Sequence, residues 1–352
     1  MTNYAKHVFD LTPECLRRLA RMTVLSVGLT VASLPAGAGA HAQTSPPADP
    51  KEVLEAVVGI DSRIPASART APALGTQREG SGVVISDDGL VLTIGYLILE
   101  AIEIDIALAD GRRIPASFVA YDHESGFGLV RAASDLGLEP VRLGTSDGMG
   151  VSTQVLLANR LGPDSAQGVF VVDRREFAGA WEYLLDDAIF TSPPNPNFSG
   201  AGLFDADGKL IGIGSLFVGN AAFFQRPVAG NMFVPIDELK PILDEMIDSG
   251  RRAATPRPWL GIRTSELRDR LFVDGVSDES PAARAGVRAG DLVVAVDDAP
   301  VGTMAGYFRA IWRGRIAGDT VTVRVLTPEG VLRDIEIESM DRYNWLRLDP
   351  SL

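Results

Sequence analysis

Residues 80–93 read Gly-Ser-Gly-Val-Val-Ile-Ser-Asp-Asp-Gly-Leu-Val-Leu-Thr, and this stretch decides the fold. Two short apolar runs flank Asp87-Asp88-Gly89, a pattern that is typical of a β-hairpin. The same arrangement returns within residues 203–213, around Asp205-Ala206-Asp207-Gly208. Short strands that alternate with turn residues along this part of the chain predict a mainly β fold, either a sandwich or a barrel.

Changes of periodicity divide the chain into two units. Residues 53–248 form the β-rich unit, and its last segment, 236–248, has apolar residues at helical spacing. Residues 249–258 contain Gly, Pro and two adjacent arginines, so we expect a solvated linker. A smaller unit follows at 259–341, and residues 342–352 are expected to form a C-terminal tail. In the smaller unit, the sequence predicts strands at 271–273, 292–296 and 320–326 and helices at 280–286 and 303–313.

The first 42 residues have the features of a secretory signal peptide. Three arginines precede the apolar run 22–34, which is short for a bilayer span, and small residues predict cleavage after Ala42. A retained membrane anchor is the alternative. Residues 43–52 are expected to be a flexible lead-in. Cleavage would remove Cys15, the only cysteine, so the exported chain would form no disulfide.

Composition limits the partners that the protein can have. The chain has 352 residues, 46% of them hydrophobic, and a formal net charge of −13. Such a charge disfavours nucleic acid and anionic membrane surfaces, and we expect no stable membrane span after cleavage of the signal peptide. The sequence has no H-E-x-x-H zinc motif, and Gly212-Ile213-Gly214 lacks the third glycine of a dinucleotide loop. We therefore expect no metal and no cofactor.

Both units contain stretches that match the motifs of a known family. Residues 80–85, the Asp-Gly hairpin, 91–93, 143–147 and the loop around Ser199 are similar to the protease domain of the HtrA (DegP-like) family of serine proteases. Residues 280–291 match the "SPAAxAGLxxGD" stretch of its PDZ domain nearly residue for residue. The resemblance implies a trypsin-like double six-stranded β-barrel at 53–248, followed by one α+β PDZ domain at 259–341.

The resemblance also places the catalytic triad and shows that it is degenerate. Ser199 stands at the nucleophile position, Tyr96 at the histidine position and Gly126 at the aspartate position. A tyrosine with a pKa of about 10 is a poor proton acceptor near pH 7, and glycine cannot orient a base. Losing one triad member typically costs on the order of 10⁴-fold in turnover. His123, on the loop before Gly126, is an alternative base, although we expect it to be solvated.

The oxyanion hole is altered as well. In the trypsin fold, the amides of the nucleophile and of the residue two positions before it bind the developing oxyanion. Asn197 occupies the second position, where glycine is usual. Because asparagine tolerates a positive φ, we expect the hole to keep its shape. Phe198 precedes the serine, and its bulk is expected to fill part of the cleft.

The smaller unit carries the residues expected to bind peptide. Trp259-Leu260-Gly261-Ile262 resembles the carboxylate-binding loop of HtrA-type PDZ domains. An extended peptide is expected to add as a strand beside Leu271-Phe272-Val273. The helix at 303–313 should form the other wall of the groove, and Phe308 is expected to face the groove.

Three hypotheses follow from these residues. The first is an exported, periplasmic HtrA-like pseudoprotease that binds peptide C-termini or unfolded envelope proteins as a scaffold, chaperone or regulator. The second is a weakly active serine endopeptidase that uses Ser199 with Tyr96 or His123 as an unusual base. The third is a sensor domain whose PDZ unit controls a partner protease. HtrA proteases trimerise through aromatic residues near the mature N-terminus, and residues 43–95 contain none, so the oligomeric state stays open.

Overall fold

The computed structural model describes residues 50–180, 183–223 and 225–348. The predicted signal peptide at 1–42, its cleavage site, most of the lead-in and the last four residues of the tail lie outside these ranges. No helix within the described ranges is both long enough and apolar enough to cross a membrane.

The first barrel closes six antiparallel strands in the order β1-β2-β3-β6-β5-β4. The predicted hairpin forms β2 and β3, with Val83 opposite Leu92. A short helix, α1, precedes the barrel at Pro50–Glu55, α2 lies between β1 and β2 at Ala71–Leu74, and a 3-10 turn at Gly95–Leu97 follows β3. The strands are β1 Val57–Arg63, β2 Gln77–Val84, β3 Leu90–Ile94, β4 Glu103–Ala107, β5 Arg113–Tyr121 and β6 Phe127–Ala132.

The second barrel repeats this architecture in the order β10-β11-β12-β9-β8-β7. The second hairpin predicted from the sequence is formed by β10 and the start of β11. The strands are β7 Gln154–Ala158, β8 Gln167–Gly179, β9 Tyr183–Ser192, β10 Gly202–Phe204, β11 Leu210–Phe223 and β12 Pro227–Pro235, with a 3-10 turn at Pro163–Ser165. The predicted mainly β double barrel is therefore confirmed.

The helix predicted at 236–248 is not continuous. A 3-10 turn at Ile236–Glu238 is followed by helix α3 at Leu243–Ser249. Pro241 lies between them, and proline lacks the amide that would continue a helical ladder. Leu239, Ile242 and Met246 are nevertheless buried, so the apolar spacing identified the core residues correctly.

The C-terminal domain is one antiparallel sheet with three short helices. The sheet order is β13-β14-β15-β17-β18, with β16 paired to β15, so β13 is an edge strand. The strands are β13 Ile262–Glu266, β14 Leu271–Val276, β15 Leu292–Val296, β16 Ala299–Pro300, β17 Thr320–Leu326 and β18 Leu332–Glu338. The helices are α4 Pro281–Ala285, α5 Met304–Trp312 and α6 Arg342–Trp345. Ser280 caps α4 by accepting a hydrogen bond from the Ala283 amide.

The linker is fixed to the first barrel, contrary to the predicted solvated segment. The Arg252 guanidinium pairs with Asp122, whose side chain is 1% exposed, at 2.9 Å. Arg257 pairs with Glu124 at 3.0 Å, and Arg251 pairs with Asp341 at 2.8 Å. Charges that are neutralised by buried partners hold a segment in place, whereas a hinge needs solvated charges.

The first part of the predicted tail also packs into this junction. The Trp345 ring lies 4.8 Å from the Trp259 ring, and the Trp345 indole donates to the Asp278 carbonyl at 2.8 Å. The Tyr343 hydroxyl donates to the carbonyl of Tyr121 in the first barrel. Residues 342–348 therefore connect the barrel to the C-terminal domain.

Candidate functional site

The loop that carries Ser199 lies between the two barrels. The Ser199 carbonyl accepts from the Ser81 amide in β2 at 2.8 Å, and the Gly200 amide donates to the Gly214 carbonyl in β11 at 2.8 Å. Gly200 has φ +70°, and a Cβ there would lie 1.9 Å from the Ser81 carbonyl oxygen. Only glycine fits this close approach, so the sequence around the serine is dictated by the barrel interface.

Tyr96 and Ser199 line the same cavity. The Tyr96 hydroxyl donates to the Ser215 carbonyl at 2.9 Å. Burial raises the Tyr96 pKa, and the nearby Ser199 hydroxyl lowers it by less, so the net pKa lies well above the ordinary value for tyrosine. Near pH 7 the Tyr96 hydroxyl is neutral, and its hydrogen already forms the hydrogen bond to the Ser215 carbonyl. Tyr96 therefore cannot act as the base that removes the proton from Ser199.

Gly126 lies on the loop between β5 and β6, and it supplies no carboxylate at the aspartate position. Its carbonyl accepts from the Gly95 amide at 2.7 Å, which joins this loop to the turn that carries Tyr96. Its φ is +83°, and a Cβ would lie 3.2 Å from the Tyr183 ring. An aspartate here would need an unfavourable backbone conformation and a small shift of the Tyr183 ring.

His123 is buried, contrary to the predicted solvated side chain. Its ring packs edge-on against Tyr343 with 5.5 Å between centroids, and only 8% of the residue is exposed. Burial and, to a smaller extent, Arg342 lower the pKa of His123, the nearby Asp122 and Asp341 carboxylates raise it by less, and the net pKa is lowered to about 3. His123 therefore packs in the junction with α6 as a neutral imidazole, and no contact to Ser199 is among its described interactions.

The second oxyanion-hole amide is engaged by a neighbouring side chain. Asn197 does not adopt the positive φ that we expected of it. Its amide donates to the Asn195 side-chain oxygen at 2.8 Å, which closes an Asx turn. The expectation that the hole keeps its shape is therefore wrong, because one of its two donors points at a protein acceptor.

A second set of hydrogen bonds fixes Asn195 in that position. Its side-chain amide donates to the Gln167 side-chain oxygen at 2.9 Å, and its backbone amide donates to the Asn231 side-chain oxygen at 2.7 Å. The Asn231 side-chain amide returns a bond to the Asn195 carbonyl at 3.1 Å. These bonds hold both the backbone and the side chain of Asn195. The Asn195 side-chain oxygen therefore stays bonded to the Asn197 amide, and that amide is not available to a substrate.

A cavity of about 810 Å³ extends from the serine loop to the C-terminal domain. Tyr96, Gly126, Phe198 and Ser199 line one end, and Trp259, Gly261 and Ile262 line the other. Tyr183, Leu99 and Trp345 contribute to the largely apolar wall between them. The volume is typical of a ligand site, and it brings the predicted catalytic and carboxylate-binding residues to one space.

The predicted carboxylate-binding loop is pinned against α4. The Gly261 carbonyl accepts from the Ser277 amide at 2.8 Å, and the Leu260 carbonyl accepts from the Ala282 amide at 3.0 Å. Gly261 has φ +80°, and a Cβ there would lie 2.3 Å from the Ser280 Cβ. The loop therefore requires glycine both for its backbone conformation and for its packing.

Leu271, Phe272 and Val273 cannot accept a peptide strand, contrary to the prediction. They belong to β14, which pairs with β13 on one side and with β15 on the other. The free edge of the sheet is β13, Ile262–Glu266, which leads directly out of the carboxylate-binding loop. β-Strand addition needs unpaired backbone groups, so β13 is the strand that a peptide can extend.

Phe308 is buried, with 0% of its surface exposed. It stacks on Trp312 at 5.4 Å and contacts Tyr307 at 5.6 Å within the core of the C-terminal domain. Phe308 is therefore a core residue, contrary to the prediction that it faces the groove. Across the described ranges there is also no group of three or more His, Cys, Asp or Glu side chains placed to bind a metal.

Asn195 and Asp122 matter to the site, although neither was singled out from the sequence. Asn195 begins an Asn-Pro-Asn run. An asparagine side chain often accepts a hydrogen bond from the backbone amide two residues later, which forms an Asx turn. Asp122 precedes Gly126 by four residues, and its carboxylate holds Ser125 as well as Arg252. The Asx pattern was a usable signal for Asn195, whereas nothing local pointed to the partner of Asp122.

Comparison with known proteins agrees with this geometry. Residues 80–213 match the trypsin-like peptidase domain family, and residues 258–338 match the PDZ domain family. The fold and site therefore define a protein with a trypsin-like peptidase domain followed by a PDZ domain.

The relatives are more specific. The serine protease PepD of Mycobacterium tuberculosis is 28% identical over 92% of this chain and 79% of its own length. A probable periplasmic serine endoprotease, DegP-like, of Pseudomonas fulva is 29% identical over 69% of this chain and 53% of its own length. The chain has a trypsin-like peptidase domain and a PDZ domain and is homologous to the HtrA and DegP serine proteases, and it spans only about half the length of the DegP-like relatives.

The solved structures support the same fold. A Ser-to-Ala variant of the HtrA-type protease AlgW, solved with a tripeptide, superimposes with a TM-score of 0.50. It is 22% identical, and the match covers 82% of this chain and 96% of AlgW.

Proposed function

We propose that this protein is an exported HtrA-type pseudoprotease, which binds peptide C-termini or unfolded segments of envelope proteins through its PDZ domain. The observation that carries the proposal is that a buried, neutral tyrosine, Tyr96, lines the same cavity as Ser199 at the position where a protease needs a base. Its role would then be that of a scaffold, a chaperone or a regulator.

Three separate features of the site oppose proteolysis. Tyr96 has a raised pKa, Gly126 supplies no carboxylate, and the Asn197 amide already donates to Asn195. Triad members act as a unit, so one deficit alone removes most of the rate, and loss of an oxyanion donor typically costs a further 10²–10³-fold. A polypeptide in the cavity would be held without being cleaved.

Export is supported by the sequence and by the relatives. The leader has the features of a secretory signal, and DegP-like relatives are named as periplasmic endoproteases. We therefore assign the protein to the periplasm or another extracytoplasmic compartment.

A weak serine endopeptidase is the second candidate. The contact between Tyr96 and Ser199 favours it, since a tyrosinate would be within reach of the serine proton, and the relatives are named as serine proteases. Only the ionised tyrosine could act as a base. Because its pKa is raised, any such activity should increase continuously toward strongly alkaline pH.

The test has two arms, one that measures labelling and cleavage and one that measures peptide binding. The full chain, Ser199→Ala and the matched surface variant Ser117→Ala are incubated with a fluorophosphonate and with unfolded casein at pH 7.5. We expect no Ser199-dependent labelling or cleavage, even in Tyr96→His. Labelling that disappears in Ser199→Ala and persists in Ser117→Ala would show that the chain is a protease.

The binding arm uses a fluorescent peptide with an apolar C-terminal residue. Fluorescence anisotropy should detect binding of the free carboxylate and a large loss for the same peptide with an amidated C-terminus. Equal binding of both peptides would contradict recognition through the carboxylate-binding loop.

A further inference from the structure

The cavity beside Ser199 combines apolar walls with an excess of positive charge. Its volume of about 810 Å³ lies in the range of sites that enclose small organic molecules. The charged residues that line it are Arg69, Arg263, Arg342 and Asp278, three cations against one anion. Such an excess is a local exception in a chain with a net charge of −13. The cavity therefore favours a ligand that is apolar over most of its surface and negative at one point.

Two main-chain groups at the serine end of the cavity are already bonded within the protein. The Ser215 carbonyl accepts from Tyr96 at 2.9 Å, and the Asn197 amide donates to Asn195 at 2.8 Å. An extended peptide binds through main-chain hydrogen bonds, so this end of the cavity offers little to a peptide backbone. What remains there is largely apolar surface, such as the ring of Phe198. A ligand without a peptide backbone is better matched to these walls.

Arg69, on the loop between β1 and α2, is the cation that can bind the negative group. Its side chain is 18% exposed, and its guanidinium lies 5.8 Å from the Trp345 ring centroid. The buried Glu100 carboxylate accepts from the Arg69 backbone amide at 3.0 Å, so it does not occupy the guanidinium.

The ion pair of Arg69 is incomplete. One terminal nitrogen donates to Glu279, whose side chain is 70% exposed, and the buried Nε has no acceptor among the residues that the structure describes. A guanidinium binds a carboxylate most strongly through two parallel N–H bonds, which Glu279 does not supply. A pair with so exposed a partner is weak, so an incoming carboxylate can replace it.

We propose that this cavity binds a long-chain monocarboxylate of the fatty-acid class, with its carboxylate on Arg69 and its hydrocarbon chain along the apolar wall toward Ser199. This ligand goes beyond the proposed binding of peptides and does not depend on it. A single negative charge is favoured over a doubly charged head group, because the Glu279 and Asp278 carboxylates are close enough to Arg69 to repel a second charge. The apolar and aromatic side chains of the wall are Leu74, Leu99, Tyr183, Phe198, Trp259 and Trp345.

Isothermal titration calorimetry of the full chain with octanoate, decanoate and dodecanoate at pH 7.5 tests the apolar wall. We expect the affinity to rise about fourfold for each added methylene, because each methylene is buried in the cavity. Dodecyltrimethylammonium has the same chain and the opposite charge, and it should bind at least about tenfold more weakly than dodecanoate. Equal affinities for the three acids, or equal binding of the cation, would overturn the proposal.

Two substitutions locate the carboxylate. Arg69→Gln should lower the affinity for dodecanoate about tenfold or more, because it removes a charged hydrogen-bond donor. Glu279→Gln removes the competing carboxylate and should raise the affinity about two- to fivefold. The matched controls are Arg63→Gln and Glu103→Gln, which break an exposed pair on the first barrel that does not line the cavity. Both controls should bind dodecanoate as the unchanged protein does.

The opposite directions of the two expected changes separate a specific site from a general effect of charge. If Arg69→Gln and Arg63→Gln lose affinity equally, the carboxylate is not on Arg69 and the inference is overturned. If Arg69→Gln does not fold, the result for Glu279→Gln decides, and no gain over Glu103→Gln contradicts the site. If the unchanged protein binds no acid, the inference is wrong, whereas the proposed function is still decided by the probe and peptide experiments, which use other ligands.

Discussion

Protonation of His123 should open the junction between the barrel and the C-terminal domain. The ring packs against Tyr343, and burial keeps its pKa far below that of a histidine in an unfolded chain. Between these two values the unfolded chain binds a proton that the folded protein does not bind. The free energy of unfolding is therefore full above about pH 6.5 and falls as the pH decreases below that value.

The size of the effect follows from the pKa difference. Lowering the pH from 6.5 to 5.0 spans 1.5 units in which His123 stays neutral in the folded state, so the loss is about 2 kcal/mol. Several charged groups surround the ring and decide whether it can be protonated. They are Asp122, Asp341, Arg257 and Arg342.

Urea denaturation at pH 7.5 and pH 5.0 provides the measurement. His123→Phe keeps the aromatic contact and cannot be protonated, so it should lose about 2 kcal/mol less than the unchanged protein between these pH values. His123 is the only histidine in the described ranges, and the other two, His7 and His41, precede the predicted cleavage site. The difference between the two proteins therefore isolates one group. Equal losses, with the same result for His123→Gln, would refute the assignment of a buried neutral imidazole.

Two further predictions concern the linker and the carboxylate-binding loop. Arg252→Ala leaves the 1% exposed Asp122 side chain without its cation. Urea denaturation should show that the free energy of unfolding falls by about 3 kcal/mol. A fall below about 1 kcal/mol would show that the pair is worth no more than an exposed ion pair. Gly261→Ala should abolish peptide binding, because its Cβ would meet Ser280 at 2.3 Å, whereas Gly286→Ala, also at positive φ but with open space around it, should still bind. Equal anisotropy titrations for the two glycine variants would contradict this account of the loop.

Local patterns predicted the elements of the fold better than their arrangement. The Asp-Gly turns located both hairpins, and the strand at 320–326 was placed at its observed ends. The edge of the C-terminal sheet was misplaced, because strand order depends on pairings between distant segments. Leu271 pairs with Glu266 nearby but also with Val293, and only the second pairing excludes a peptide.

The candidate site shows the same limit. The alignment of motifs brought Tyr96 to Ser199, since both sit on loops whose positions the barrels fix. It did not predict the burial of His123, whose neighbour Tyr343 lies 220 residues later in the chain. The hydrogen bond that occupies the Asn197 amide was not predicted, for a related reason. The local tolerance of asparagine for positive φ was outweighed by side-chain bonds that reach Asn195 from other strands.

The two loops that would hold the base and the acid of a protease instead anchor the C-terminal domain. Glu100, just after the turn that carries Tyr96, is 4% exposed and accepts from the Arg347 amide at 2.9 Å. Asp122, on the loop that carries Gly126, accepts from Arg252 of the linker. The Gly95 amide joins the loops by donating to the Gly126 carbonyl. Restoring a triad would place a histidine and a carboxylate at this joint, so the proposed loss of catalysis and the fixed placement of the domain would follow from one set of contacts.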